Sequence, residues 1–214
     1  GRDAVRHLLE TASGLRSMIV GEWEIQGQVR QAFHIAEQAG MVDPMSKRLF
    51  QHAIRVGRRV RDETCISKNA LSVSSVAVNL AAKAVGDVRS RSVVLIGAGQ
   101  AGKLVARAFS QRGISEIAII SRSLQGAEEL AASLGGKAVE LSRLQDEMKS
   151  ADIVISCTGA PHVVVDCDLV RNVMHTRPSR PLVLVDISVP RDIDPCVKHI
   201  DGVYLYDIDD CMNL

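Results

Sequence analysis

Long hydrophobic runs, patterned cysteine and any surplus of charge are all missing from this sequence of 214 residues. No apolar stretch approaches the ~18 residues of a membrane-spanning helix, and the first residues do not resemble a secretory signal, so no membrane role is expected. Lysine plus arginine number 26 against 25 aspartates and glutamates, a net charge of +1. No global field therefore draws the protein to nucleic acid or a membrane, and any such contact must be a local patch. The five cysteines, Cys65, Cys157, Cys167, Cys196 and Cys211, are odd in number and show no CxxC or metal-like spacing. They give no sign of a disulfide framework, a zinc site or any other metal site. Buried thiols in a reducing compartment are the natural reading. Neither an internal repeat nor a low-complexity tract occurs.

What is present falls into two patterns. Up to residue 87 the apolar residues recur at helical spacing. Helices are predicted over about Ala4–Met18, Glu22–Gln38 (with Ile25, Val29, Phe33 and Ala36 on one face), Ser46–Glu63 and Ser72–Val85. Gly86-Asp87 reads as a domain boundary, giving a mainly helical segment 1–87 and a second domain 88–214. From Ser92 onward strands and helices alternate, the mark of a doubly wound parallel α/β sheet of Rossmann type. Strands are expected at Val93–Ile96, Ile117–Ile120, Ala138–Glu140, Ile153–Ser156, Leu182–Asp186 and Val203–Leu205. Helices are expected at Ala101–Arg112, Leu124–Leu134, Arg143–Ser150 and Cys167–Met174. Both ends read as cut: Gly1-Arg2-Asp3 runs at once into a helical pattern, and 207–214 resembles a helix just beginning.

Within that second pattern, Val93-Val94-Leu95-Ile96 is followed by Gly97-Ala98-Gly99-Gln100-Ala101-Gly102, a dinucleotide fingerprint lying between a buried strand and a helix. Gly97 permits the tight turn, Gly99 lets backbone amides approach a pyrophosphate, and Gly102 allows helix to pack closely on strand. The helix that follows points its positive end at that phosphate. The next strand ends at Ser121-Arg122-Ser123, where an NAD-selective site carries Asp or Glu. A guanidinium flanked by hydroxyls suits a 2′-phosphate, which favours NADP. A solvated Arg122 beside a helix-capping Ser123 is the bland alternative, and the two readings are compatible. Ser156, Thr158 and Gly159 leave the carboxyl end of a later strand, where such folds bind ligands, and Asp186, Ser188 and Pro190 end the strand after it. Cys157 and Cys196 read as packing thiols.

Several longer stretches are more specific than the fingerprint. Ala12-Ser13-Gly14-Leu15-Arg16-Ser17-Met18-Ile19-Val20-Gly21-Glu22 resembles the signature of the glutamyl-tRNA reductases. Ile25-Gln26-Gly27-Gln28-Val29, Arg59–Thr64, Ser72–Val78, Ala151–Pro161, Val185–Pro195 and Tyr204–Asp210 extend the resemblance along essentially the whole chain. It implies NADPH-dependent reduction of glutamyl-tRNA(Glu) to glutamate-1-semialdehyde, the first step of tetrapyrrole synthesis. A cysteine thiolate would form a thioester with the aminoacyl group, and NADPH would supply hydride. By the same resemblance that cysteine belongs upstream of Gly1, so this stretch alone is expected to be inactive, with Cys65 a structural residue.

The resemblance further assigns His7 a catalytic role and Ser17, Glu22, Trp23, Glu24 and Gln28 to the glutamate moiety. Where the family has Glu-Pro-Gln, this chain has Glu22-Trp23-Glu24, which removes a helix-start proline and adds a carboxylate. Implied partners are the charged tRNA, a glutamate-1-semialdehyde aminomutase, and a second copy joined through a C-terminal helical domain. The implied location is the cytoplasm, or the plastid stroma in a plant or alga. Lys47, Arg48, Arg55, Arg58, Arg59 and Arg61 make one helix basic. This is either a phosphate-contacting face or a solvated one paired with Asp62 and Glu63, without the interleaved aromatics that stack bases. The alternatives are a shikimate-dehydrogenase-like NADP oxidoreductase, against which the Ser13–Glu22 signature argues, and a catalytically silent NADP-binding module.

Overall fold

In the computed structural model, which describes residues 1–17, 19–66, 72–114, 116–177 and 179–212, the helical spacing of the first part yields α1 (Arg2–Ala12), α2 (Glu24–Gln38) and α3 (Pro44–Glu63). Their apolar faces meet around Ala12, Phe33 and Ala53, and Phe33 stacks on Phe50 with ring centroids 5.6 Å apart. The first helix stops at Ala12, well before the expected end at Met18, which lies outside the described residues. The reason is local. At Gly14 the backbone turns left-handed, with φ +78°, a conformation glycine adopts without penalty. α3 begins two residues earlier than its periodicity suggests, because Pro44 opens it and the Asp43 carboxylate accepts from the Ser46 N–H at 2.6 Å.

The remainder forms a six-stranded, wholly parallel sheet: β1 (Ser92–Ile96), β2 (Glu116–Ser121), β3 (Lys137–Glu140), β4 (Ile153–Ser156), β5 (Leu182–Asp186) and β6 (Val203–Asp207). Their order is β3-β2-β1-β4-β5-β6, the doubly wound arrangement expected from the alternation. Val93 pairs with Ile117 on one side and Ile153 on the other. A parallel strand covered on both faces must be mainly apolar, and β1, β4 and β5 are, with Ser92, Ser156 and Asp186 at their ends. On one face Leu95, Ile119, Ile155 and Val185 pack under α4 (Val73–Val85), α5 (Gln100–Ser110) and α6 (Leu124–Ala132). On the other, Ile96, Ile120, Val154 and Leu184 pack under α7 (Leu144–Ser150) and α8 (Cys167–His175). A short helix, α9 (Ile208–Met212), follows β6.

By packing, the chain divides into units 1–72 and 73–214, not at 87/88. α4 was expected to close the helical segment. Instead its Ala77, Val78 and Ala81 are wholly buried in the core of the second unit. Gly86-Asp87 marks a chain turn, and the apolar face of the preceding helix decides which unit it joins. No described helix is long and apolar enough to cross a membrane.

Candidate functional site

The β1–α5 turn sits where strand order reverses, between β1 and its neighbours β2 and β4, the position where open α/β sheets bind ligands. Gly97 has φ +113°, and a Cβ there would lie 2.7 Å from the carbonyl oxygen of Cys157. At Gly102 a Cβ would meet the Gly97 carbonyl oxygen at 2.0 Å. Gly99 differs: a Cβ there meets nothing, and Gly99 caps α5 with no side-chain hydrogen bond. The first amides of α5 thus open onto space, which suits an anion.

That space is a cleft of about 310 Å³ lined by Gly97, Ala98, Gly99, Ser121, Arg122, Ser123, Thr158 and Gly159, together with Leu141, Cys157 and His162. Eight of the predicted cofactor residues therefore share one cavity. Ser123 also caps α6, accepting from the Gly126 N–H, and Arg122 is exposed at the cleft. Gln100 and Ala101 open α5 and Gly102 is buried beneath the turn, so these three shape the cleft without lining it.

Ser156 departs from expectation. It is fully buried and donates its hydroxyl to Asp192 at 2.6 Å. Asp192, itself fully buried, also accepts from the Thr158 N–H at 2.9 Å, the Thr158 hydroxyl at 2.7 Å, and the Ser188 hydroxyl. The side chain of Asp186 in turn accepts from the N–H groups of Ser188, Asp192 and Ile193 at 2.9–3.0 Å. Burial raises the Asp186 pKa against these donors. This pair of carboxylates holds the loop after β5 against the exit of β4, and it fixes Thr158 at the cleft. Asp192 was not a predicted site residue, because one aspartate in a polar loop gives no sign that four hydrogen bonds converge on it. Cys157 is an inert thiol: burial, with the charges of Asp192 and Asp186, pushes it up to about 12, and its Sγ lies 3.3 Å from the Ile96 carbonyl.

In the first unit the signature loop gathers a second set of groups. Arg61, predicted on the basic outer face of α3, is instead buried. It donates to the carbonyls of Gly57 at 2.8 Å, Ala12 at 3.1 Å and Glu22 at 3.2 Å, and it lies 5.5 Å from the ring centre of Trp23. Periodicity could not reveal this, because the loop folds back over the C-terminal end of α3. Burial lowers the Arg61 pKa. Arg59 pairs with Glu63 and Lys47 with Glu37, while Arg48, Arg55 and Arg58 stay exposed.

Ser17 donates to Glu22 Oε1, whereas Glu22 Oε2 is buried without a hydrogen-bond partner among the described residues. Burial raises the Glu24 pKa, the Glu22 charge raises it further, and a Ser72 hydrogen bond opposes both. Ser17, Glu22 and Glu24 are thus brought together, and Trp23 is largely exposed beside them. Gln28, one helical turn beyond Glu24, is exposed, as is His7 on α1.

Two readings of the cysteines are corrected. Cys196 is not a packing thiol but is disulfide-linked to Cys167, with Cα atoms 6.1 Å apart. A separation of 29 residues carries no signal by itself. The parallel bridge Val165–Ile193 brings the two segments together. Cys65 is exposed, not buried.

Residues 79–214 match the family model described as shikimate/quinate 5-dehydrogenase, and residues 1–64 match that of the glutamyl-tRNA(Glu) reductase N-terminal domain. The chain is 44% identical over 210 residues to a glutamyl-tRNA reductase of Archaeoglobus fulgidus, an alignment covering 98% of this chain and 48% of that protein. To that of Carboxydothermus hydrogenoformans it is 45% identical over 212 residues, covering 99% and 47%. Among solved structures, glutamyl-tRNA reductase from Methanopyrus kandleri aligns with TM-score 0.63 and 41% identity, over 100% of this chain and 54% of that one. The chain spans about half the length of the curated relatives it matches.

Proposed function

The chain belongs to the glutamyl-tRNA reductase family, and from that premise we propose that the protein containing it reduces glutamyl-tRNA(Glu) to glutamate-1-semialdehyde with NADPH, in the tetrapyrrole pathway. The observation that carries the cofactor half is the open, uncapped start of α5 at Gly99, with Arg122 lining the same cleft. NADPH, when bound, supplies the hydride that turns a thioester into an aldehyde. The chain's own groups bind and orient it. The α5 amides take the pyrophosphate, and Arg122 with Ser121 and Ser123 takes the 2′-phosphate. Thr158 and Gly159 border the ribose and nicotinamide. Ser156 acts through Asp192, by holding Thr158 in place.

On the substrate side, Glu22 Oε2, without a hydrogen-bond partner among the described residues, accepts from the α-ammonium of the glutamyl group. Ser17 orients Glu22, and Trp23, Glu24 and Gln28 complete the subsite. His7 polarises the reacting carbonyl or moves a proton there. By the family resemblance the thiolate nucleophile is assigned to a part of the protein outside this chain; Cys157, a buried thiol pushed up to about 12, would be a poor substitute for it. Dimerisation through a C-terminal helical domain, hand-over to an aminomutase, and a cytoplasmic or plastid location belong to the same proposal.

The test is nucleotide oxidation by the complete parent protein with charged tRNA, with uncharged tRNA as control and NADH in place of NADPH. Oxidation of NADPH only with charged tRNA, together with semialdehyde, is the expected result. Because residues 79–214 match the shikimate/quinate dehydrogenase model, shikimate is the second substrate to try. NADPH formation from shikimate, with no turnover of charged tRNA, would replace this proposal.

A further inference from the structure

The Cys167–Cys196 link lies where two loops cross. The N–H groups of Val164 and Val165 donate to the Asp192 carbonyl at 2.7 and 3.0 Å, and the Asp194 N–H donates to the Val165 carbonyl at 3.0 Å. Cys167 is the first residue of α8, whose Asp166 cap accepts from Leu169 N–H at 2.8 Å. Cys196 follows in a short 3₁₀ turn, Pro195–His199, and Asp194 caps that turn by accepting from the Cys196 N–H at 2.9 Å. Ligand atoms of Cys167, Cys196 and Asp194 all lie within 4.8 Å of one another. Cys167 is buried, while Cys196 and Asp194 are half-buried, which leaves the cluster partly open to solvent.

We propose that these three residues form a redox-gated site for a thiophilic divalent cation, Zn²⁺, closed as a disulfide and opened by reduction. Two thiolates and a carboxylate are a zinc ligand set, and solvent takes the fourth tetrahedral position. At zinc–sulfur distances of ~2.3 Å, two thiolates on one ion stand roughly 3.7 Å apart, within side-chain reach for Cα atoms 6.1 Å apart.

The chemistry balances in two steps. A dithiol reductant gives two electrons and two protons to the disulfide, leaving two thiols on the protein and a disulfide on the reductant. Zinc then displaces both thiol protons to water. Either cross-link fastens 165–167 to 194–196 and so braces Asp192, which holds Thr158 at the nucleotide cleft.

The experiment uses this chain with Cys65→Ser, so that the exposed thiol is silent. The protein is reduced with a phosphine, desalted anaerobically, and titrated with Zn²⁺ against a chromophoric chelator. One zinc per chain is expected after reduction and none after oxidation with diamide. A dithiol should restore binding to the oxidised form. Cys196→Ser should weaken binding at least about 100-fold and Asp194→Asn about tenfold. Co²⁺ added to the reduced chain should show thiolate-to-metal charge-transfer absorption, a readout that needs no folded variant. Absence of those bands would overturn the site, as would zinc binding that persists in a folded Cys167→Ser, Cys196→Ser double variant.

Discussion

Glu24 occupies a position where the family pattern has an amide, and its surroundings oppose its charge: it is half-buried, and the Glu22 charge acts on it as well. A raised carboxylate pKa means that the native state holds its proton more tightly than the unfolded chain does. Its contribution to stability is therefore greatest below the ordinary value of 4.5 and is lost as pH rises through the folded pKa. Glu24→Gln is expected to raise the melting temperature at about pH 7, with the gain fading toward about pH 4. Thermal melts of both proteins across that range check this, and a gain that does not change with pH contradicts it. Asp192 differs in its partners: four donors converge on its carboxylate. Nothing in the sequence separates the two, since each is one acidic residue among polar neighbours.

The β1–α5 turn makes a claim about an element that paired substitutions test. At Gly102 a methyl group would collide with the Gly97 carbonyl at 2.0 Å, whereas at Gly99 it would meet nothing. Gly102→Ala should push α5 away from β1 and cost about 2–3 kcal/mol of stability. Gly99→Ala should fold with stability within about 0.5 kcal/mol of the parent. Its NADPH affinity should nonetheless fall about tenfold, a loss near 1.4 kcal/mol, because the backbone can no longer approach the pyrophosphate. Chemical denaturation and fluorescence titration separate the two effects. Equal affinities for Gly99→Ala and the parent would remove the pyrophosphate from this turn.

For the whole molecule, the placement of α4 decides where the chain can be divided. Ala77, Val78 and Ala81 belong to the same buried cluster as Leu95, Val105 and Phe109. A piece spanning 73–214 is expected to unfold cooperatively and to bind NADPH as the whole chain does. A piece spanning 88–214 exposes the sheet face that α4 covers and should bind a hydrophobic dye, lose near-ultraviolet dichroism and aggregate. Equal behaviour of the two pieces would show that α4 is dispensable to the sheet.

The sequence by itself determined the features that depend on neighbours along the chain. Helical and strand periodicity set all six strands and their alternation with helices, the glycines set the turn, and Ser123 set a cap, because each acts within a few residues of itself. Motif resemblance singled out Ser17, Glu22 and Glu24 as neighbours along the chain; in the structure Ser17 donates to Glu22 and the Glu22 charge acts on Glu24 at the start of α2. Only the tertiary structure decided which unit α4 joins, that Arg61 turns inward, that Ser156 faces Asp192 and not the cleft, and that Cys167 meets Cys196. The last three outcomes depend on groups 29 to 49 residues apart. Such separations are closed by the packing of whole elements, and no local pattern encodes them.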